Sequence, residues 1–251
     1  MMATSFRQKG SKAVLGGTAA LLLAGTLASA PARADWEVSG NIGVVSDYVL
    51  RGITAETESD GPAVQGGLDF ETDLGFYAGW WASSLGYGTD DLTTTIENDL
   101  YAGFGGEVGP LSYDIGVVYY YYMDDSDSSG FEPYLGLGLG PVSFGLAYLA
   151  EDVSWGNQGD MYITLGADFD IPMGFGLSLL AGHYIYEDSG DFIPSTEKSS
   201  AFRHLDVTLS RQIGETPATM FATYTVGGED RDGNSQTDKI VIGFNYDFSI
   251  K

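Results

Sequence analysis

The chain has 251 residues, 35 of them acidic and 11 basic, with 13% aromatics, 36 glycines and no cysteine. That length suits one large all-β domain or two small ones. The absent cysteine excludes disulfide frameworks, thiol nucleophiles and Cys-ligated zinc, and the acidic balance excludes the basic footprint that nucleic-acid binding needs.

The first stretch has the three-part pattern of an export signal. Arg7, Lys9 and Lys12 form a basic start, residues 14–27 a run of Ala, Leu, Gly and Val, and two A-x-A sites follow, Ala28-Ser29-Ala30 and Ala32-Arg33-Ala34. Pro31 hinders cleavage at the first, so the cut is placed after Ala34. Residues 1–34 then read as a cleaved signal peptide and 35–251 as the mature domain. A membrane anchor would need roughly 20 apolar residues, more than this run supplies. Arg7, Lys9, Lys12 and Arg33 leave with the signal, so seven bases remain against 35 acids, a net charge near −28. Such charge often accompanies disorder; beside this many aromatics it requires acids segregated from an ordered apolar surface.

Along the mature chain the dominant pattern is alternation, the period of a β-strand. Strands are expected near 36–51, 63–74, 75–88, 93–109, 111–123, 131–140, 142–153, 159–172, 176–188, 202–213, 218–228 and 238–250. In the fifth, Tyr113, Ile115, Val117, Tyr119 and Tyr121 oppose Ser112, Asp114 and Gly116. In the eighth, Met161, Ile163, Leu165, Ala167, Phe169 and Ile171 oppose Tyr162, Thr164, Gly166, Asp168 and Asp170. In the last, Ile240, Ile242, Phe244, Tyr246, Phe248 and Ile250 oppose Lys239, Val241, Gly243, Asn245, Asp247 and Ser249. Many of these reach the ~9–11 residues of a tilted membrane-crossing strand.

The connections take strict turns. Tight ones lie at Leu74-Gly75, Gly109-Pro110, Gly140-Pro141, Ile171 to Gly176 and Gly214 to Pro217; long polar ones lie at 52–62, 86–92, 124–130, 153–159, 188–201 and 228–238. All long loops thus fall on one side and all tight turns, with both termini, on the other. An outer-membrane barrel has that layout, with an even strand number, short periplasmic turns and longer extracellular loops. The rival is a secreted β-sandwich or lipocalin-like barrel, which alternates too but turns its apolar face inward. Here the polar face carries Glu37, Asp47, Arg51, Asp69, Glu71, Asp73, Glu97, Asp99, Asp114, Asp168, Asp170, Asp206 and Asp247. Unpaired charges in a dry core are costly, whereas in a wet lumen they are not. Trp36, Tyr48, Trp80, Tyr119, Tyr121 and Phe248 suit aromatic girdles at the two interfaces. The fold expected is therefore all-β: a transmembrane antiparallel β-barrel of about 12 strands.

Several segments carry a family likeness. Ser46 to Gly52 (SDYVLRG), with Gln65-Gly66-Gly67-Leu68-Asp69, Gly75 to Ser84 (GFYAGWWASS), Glu97 to Gly109 (ENDLYAGFGGEVG) and Leu111 to Tyr122 (LSYDIGVVYYYY), resembles the Gcw_chp family of proteobacterial outer-membrane proteins, the TorF-type porins. The likeness is strongest over residues 36–123 and continues as a strand pattern. It implies an outer-membrane channel of unestablished substrate and no enzymatic activity. Outer-membrane barrels generally finish on an aromatic residue, whereas this sequence finishes Phe248-Ser249-Ile250-Lys251.

Twelve strands fall between a side-chain-filled interior and an aqueous channel, so filling decides. Gly43, Gly67, Gly103, Gly105, Gly116, Gly136, Gly138, Gly145, Gly166, Gly182 and Gly243 share the polar face, which suggests a widened bore and an open channel. Tyr101, Tyr120, Tyr122, Tyr162 and Tyr184 are the side chains able to occlude it. Candidate pore-lining residues are Asp47, Arg51, Asp69, Glu97, Asp99, Asp114, Glu132, Asp168, His204 and Asp206, with Arg51, Lys239 and His204 as the main counter-charges. Asp47 and Arg51 share inner-face parity and are expected in one internal polar network. A carboxylate-rich wall concentrates cations and repels anions, so the expected function is a passive, cation-preferring diffusion channel for small solutes. The alternative is a non-conducting structural or adhesive barrel acting through its acidic loops.

Those loops carry Glu56, Glu58, Asp60, Asp90, Asp91, Asp124, Asp125, Asp127, Glu187, Asp188, Asp191, Glu229, Asp230 and Asp232. As solvated surface they need no further role; weak divalent-cation capture, bridging to lipopolysaccharide phosphates, is the functional alternative. Neither Asp125, whose twelfth position is Gly136, nor Asp230, whose sixth is Ser235, opens an EF-hand. No G-x-S-x-G or H-E-x-x-H motif is present, and His183 and His204 lie on different strands with only Ser178, Ser210 and Ser249 as loose partners. No enzyme, cofactor or metal is expected. The partners expected are outer-membrane lipid, lipopolysaccharide, and small solutes or cations.

Overall fold

The computed structural model describes residues 35–56, 59, 61–85, 96–123 and 125–250. Over them run β1 (Trp36–Val45), β2 (Ala63–Thr72), β3 (Phe76–Ser84), β4 (Ile96–Val108), β5 (Leu111–Tyr122), β6 (Gly130–Leu139), β7 (Val142–Tyr148), β8 (Met161–Ile171), β9 (Phe175–Ile185), β10 (Ser200–Gln212), β11 (Ala218–Gly227) and β12 (Lys239–Ser249). Each pairs antiparallel with its chain neighbours, and β1 pairs with β12 from Ser39↔Ser249 to Val45↔Gly243, closing a 12-stranded barrel. Closure satisfies every strand edge, a condition for spanning a bilayer with β-structure.

The two faces are sorted opposite to a soluble barrel. Outside stand Ile42, Val64, Leu68, Trp80, Leu100, Ile115, Leu165, Met220 and Ile242, all exposed. Inside, buried, stand Ser83, Glu97, Asp99, Glu132, Thr164, His204, Asp206, Thr219, Thr225 and Asn245. In β12 alone, Ile240, Ile242, Phe244, Tyr246 and Phe248 are exposed while Val241 and Asn245 are buried. An apolar skin around a polar interior is stable only where lipid lies outside and water or hydrogen bonds lie inside. Aromatic rings gather at both rims. Phe76 and Phe104 meet edge-on at 5.0 Å and Trp36 lies 5.9 Å from Phe70 near the tight turns; Tyr119 lies 4.5 Å from Phe131 towards the loops.

Short and long connections alternate as expected. Val108↔Leu111 and Leu139↔Val142 close two-residue hairpins over Gly109 and Gly140. Both glycines have positive φ (62° and 59°), as turns matching the strands' twist require. The paired ends of β1 and β12 lie at this end, so the long loops share the other.

Two strands end early at the loop end. β1 stops at Val45 rather than 51, and β7 at Tyr148 rather than 153. In both, the chain then leaves the wall and buries side chains: Tyr48, Arg51 and Thr54 after β1, Leu149, Val153 and Asn157 after β7. Tyr48, 1% exposed, is thus an interior residue and not part of a girdle. The expected signal peptide (residues 1–34), the outer ends of the third and fourth expected strands (86–88 and 93–95), and Glu58, Asp60, Asp90, Asp91 and Asp124 lie outside the described residues.

Candidate functional site

The interior is organised by the segment that follows β1. The Ser46 amide still donates to the Ile242 carbonyl of β12 at 2.8 Å, after which the chain folds inward. The Ile53 amide donates to the Leu50 carbonyl at 2.8 Å, closing a tight reversal with Arg51 at φ 48° and Gly52 at φ 71°. Only glycine fits at position 52: a Cβ there would stand 2.5 Å from His204 Cβ and 2.9 Å from the Arg203 carbonyl.

Arg51 adopts the left-handed conformation without being glycine, and its side chain accounts for it. Nη1 and Nη2 donate to the two oxygens of Glu132 on β6, at 2.8 and 2.5 Å. Nη1 also donates to the Tyr184 hydroxyl on β9 at 2.8 Å, and Nη2 to the Tyr120 hydroxyl on β5 at 3.0 Å. The guanidinium lies over the Tyr162 ring of β8, 4.5 Å from its centroid. One side chain from the β1–β2 connection therefore grips four other strands across the bore. Burial disfavours the charged guanidinium, but the Glu132 carboxylate and the Tyr120 and Tyr184 oxygens outweigh it and hold the Arg51 pKa above its usual value, so it stays cationic.

Asp47, expected in the same network as Arg51, belongs to a separate one. It takes Lys239 Nζ at 3.2 Å, and Lys239 also donates to the Ser59 carbonyl at 2.6 Å. The remaining candidates line the barrel interior, and most of their partners are hydroxyls. Tyr48 and Tyr122 donate to Glu97 at 2.6 and 2.9 Å. Tyr101 donates to Asp69, and Tyr77 to Asp114 at 2.5 Å, while Tyr77 and Tyr134 share a hydrogen bond. Ser178 stands opposite Asp168 across β8 and β9. His204 shares a hydrogen bond with Tyr162 through Nε2 at 2.6 Å, its Nδ1 stands 3.2 Å from Asp206, and Thr225 donates to Asp206 at 2.7 Å. Asp99 is buried beside Glu97 on β4, and neither of its oxygens has a hydrogen-bond partner among the described residues.

Two interior bases escape a reading by alternation. Arg203 belongs by parity to the lipid face of β10, yet a register shift between Phe202 and His204 turns it inward beside His204, and both are buried. There it donates to the Glu229 carbonyl at 3.1 Å. An arginine at a nominally lipid-facing position was the signal. Arg231, from the β11–β12 loop, pairs with Asp160 of the β7–β8 loop and lies 4.9 Å from the Tyr186 ring centroid. Nothing in a loop sequence announces such a long-range contact.

Several of the inward glycines do not leave bare wall. A Cβ at Gly103 would overlap the Tyr77 hydroxyl, at Gly116 the Tyr134 ring, and at Gly182 the His204 ring and Tyr162 hydroxyl. Each is a seat for a ring from a neighbouring strand, so glycine here brings aromatics to the lumen surface rather than widening it.

Residues 29–238 match the model of a family described as a bacterial protein of unknown function, Gcw_chp. The chain belongs to the Gcw_chp family. The resemblance carried by SDYVLRG and the strands after it is thereby borne out. No curated protein matches the sequence. Among solved structures the Gcw_chp barrel is similar to the KdgM porin (11% identity, TM-score 0.52, covering 84% of this chain and 99% of that one). It is also similar to the COG4313 outer membrane channel from Pseudomonas putida F1 (11% identity, TM-score 0.52, 85% and 95% covered). The NanC porin gives 11% identity and a TM-score of 0.50, over 83% and 97%. These likenesses establish a shared fold. With its lipid-sorted exterior, the Gcw_chp protein is an outer-membrane β-barrel of porin architecture.

Proposed function

We propose that this Gcw_chp protein is a passive, cation-preferring diffusion channel for small solutes, lined by the ten candidate residues from Asp47 to Asp206. The supporting observation is the mismatch between interior acids and bases. Arg51, Lys239 and Arg231 are each tied to a carboxylate, of Glu132, Asp47 and Asp160. Asp69 and Asp114, by contrast, meet the hydroxyls of Tyr101 and Tyr77. A hydroxyl satisfies a carboxylate's lone pairs without cancelling its charge, so the lumen keeps a negative field that concentrates cations and repels anions. One porin of similar fold has been solved in complex with oligogalacturonate; at 10% identity that solute does not carry over, and a polyanion is a poor match for this wall.

The test is a reversal potential in planar bilayers containing refolded residues 35–251 under a KCl gradient. A potential near that of potassium supports the proposal, a move towards chloride in Asp69→Asn/Asp114→Asn extends it, and chloride preference in the unaltered protein refutes it.

The Arg51 arm across the bore favours a second reading, a non-conducting structural or adhesive barrel that works through its acidic loops against lipopolysaccharide or other surfaces. Conductance separates the two.

A further inference from the structure

Asp99 has an unusual setting. Register places it between Trp81 of β3 and Tyr120 of β5, with Glu97 and Tyr101 next to it along the inner face of β4. All five are buried. Burial disfavours a charge on Asp99; Glu97 and Glu132 repel it, and Arg51 offsets part of that. Arg51 cannot serve both acids at bonding distance, since its terminal nitrogens are committed to Glu132, Tyr120 and Tyr184. Neither Asp99 oxygen meets a donor among the described residues. A carboxylate buried in that state either holds a proton or takes an opposite charge beside it.

The surroundings select the kind of charge. Trp81 and Tyr120 are the cross-strand neighbours of Asp99 on either side, and aromatic rings attract organic cations. A hard metal ion would want six or more converging oxygen ligands, and no grouping of three or more His, Cys, Asp or Glu side chains among the described residues is arranged to hold one. The adjacent Arg51 cradle shows the same chemistry at work on the protein's own guanidinium: a carboxylate at 2.8 Å and a tyrosine ring at 4.5 Å.

We propose that Asp99, framed by Trp81 and Tyr120, is a lumenal subsite for a small organic ammonium ion. The carboxylate accepts hydrogen bonds from the ammonium N–H groups, Glu97 adds field, and the rings cover the carbon side of the cation. This rests on the cation-channel reading and deepens it, naming alkylammonium solutes as the class the wall favours.

The experiment is calorimetric titration of n-butylammonium chloride into refolded residues 35–251 in detergent micelles, which needs no current. Saturable heat with silent bilayers would sink the channel reading and keep the subsite; current without saturable heat would do the reverse. For the subsite, Asp99→Asn weakens binding about tenfold or more, the scale of a lost charge-assisted bond, and Trp81→Leu weakens it roughly two- to fivefold through the lost cation–π contact. Asp232→Asn, in an exposed loop, leaves binding unchanged. Should Asp99→Asn fail to fold, Trp81→Leu carries the test. Unchanged affinity in the folded variants overturns the proposal. So does calcium chloride binding with the same dependence on Asp99 and displacing butylammonium, which would give the subsite to a metal ion.

Discussion

Replacing Arg51 tests how the interior is held together. Arg51→Ala takes from Glu132 both guanidinium hydrogen bonds and leaves it the Tyr120 hydroxyl at 2.8 Å. Breaking a buried pair by removing one partner costs about 3–5 kcal/mol, and the surviving Tyr120 bond puts the loss near the lower end, about 3 kcal/mol. Arg51→Gly removes the same contacts but relieves a non-glycine residue held at φ 48°, a conformation that costs about 1–2 kcal/mol. Glycine at 51 is therefore expected to unfold later than alanine by about 1 kcal/mol. Adding Glu132→Ala to Arg51→Ala removes the stranded carboxylate, so the double variant should be more stable than additivity allows, by a coupling of about 2 kcal/mol. Urea unfolding of the refolded barrel in lipid vesicles, followed by tryptophan fluorescence, reads the unaltered protein, Arg51→Ala, Arg51→Gly, Glu132→Ala and the double variant. An Arg51→Ala barrel as stable as the unaltered one, or strict additivity in the double variant, would refute the clamp.

Other consequences are equally direct. A Cβ at Gly103 would overlap the Tyr77 hydroxyl and stand 2.7 Å from the Ile115 carbonyl, so Gly103→Ala is expected to destabilise the barrel by about 1–3 kcal/mol in the same assay. Ile242, 63% exposed on the lipid face, should cost about 2–4 kcal/mol when changed to Arg if it lies near the bilayer midplane; a neutral result would mean no lipid there. In the β11–β12 loop, the Tyr224 hydroxyl and then the Gly227 amide hold the Asp238 pKa below its usual 3.8. A folded pKa lowered below the unfolded one contributes stability above the unfolded value and loses it as pH falls through the folded value. Exchange of the Gly227 amide, relative to its intrinsic rate, should therefore accelerate on acidification below the ordinary aspartate range, and stay flat in Asp238→Asn. Intact mass of the exported protein is expected to begin at Asp35; a mass retaining residues 1–34 would contradict the signal peptide.

The barrel was legible because its signals are local. In β12 the alternation from Ile240 to Phe248 fixes which face meets lipid, and Gly109-Pro110 and Gly140-Pro141 fix where the chain reverses. The interior was only partly legible. SDYVLRG has the composition of a strand, and nothing local announces that it leaves the wall after Val45, because the forces that fold it inward come from Glu132, Tyr120 and Tyr184, each at least 69 positions away. Asp47 and Arg51 were found by parity, and parity failed for their partners, since it assumes a continuous strand. Arg203 was lost for a related reason: a bulge between Phe202 and His204 breaks the alternation at that point. A glycine in a sequence is only a missing side chain, and the cross-strand rings seated on Gly103, Gly116 and Gly182 are visible only once register is known. Register also places Trp81 and Tyr120 on either side of Asp99.

An acidic, hydroxyl-lined lumen should pass small cations. Single-channel recording on refolded residues 35–251 tests it most directly. Discrete, stable current steps are expected in potassium chloride, diminishing when the permeant cation is made too large to enter. A protein that inserts fully folded and stays electrically silent would contradict it.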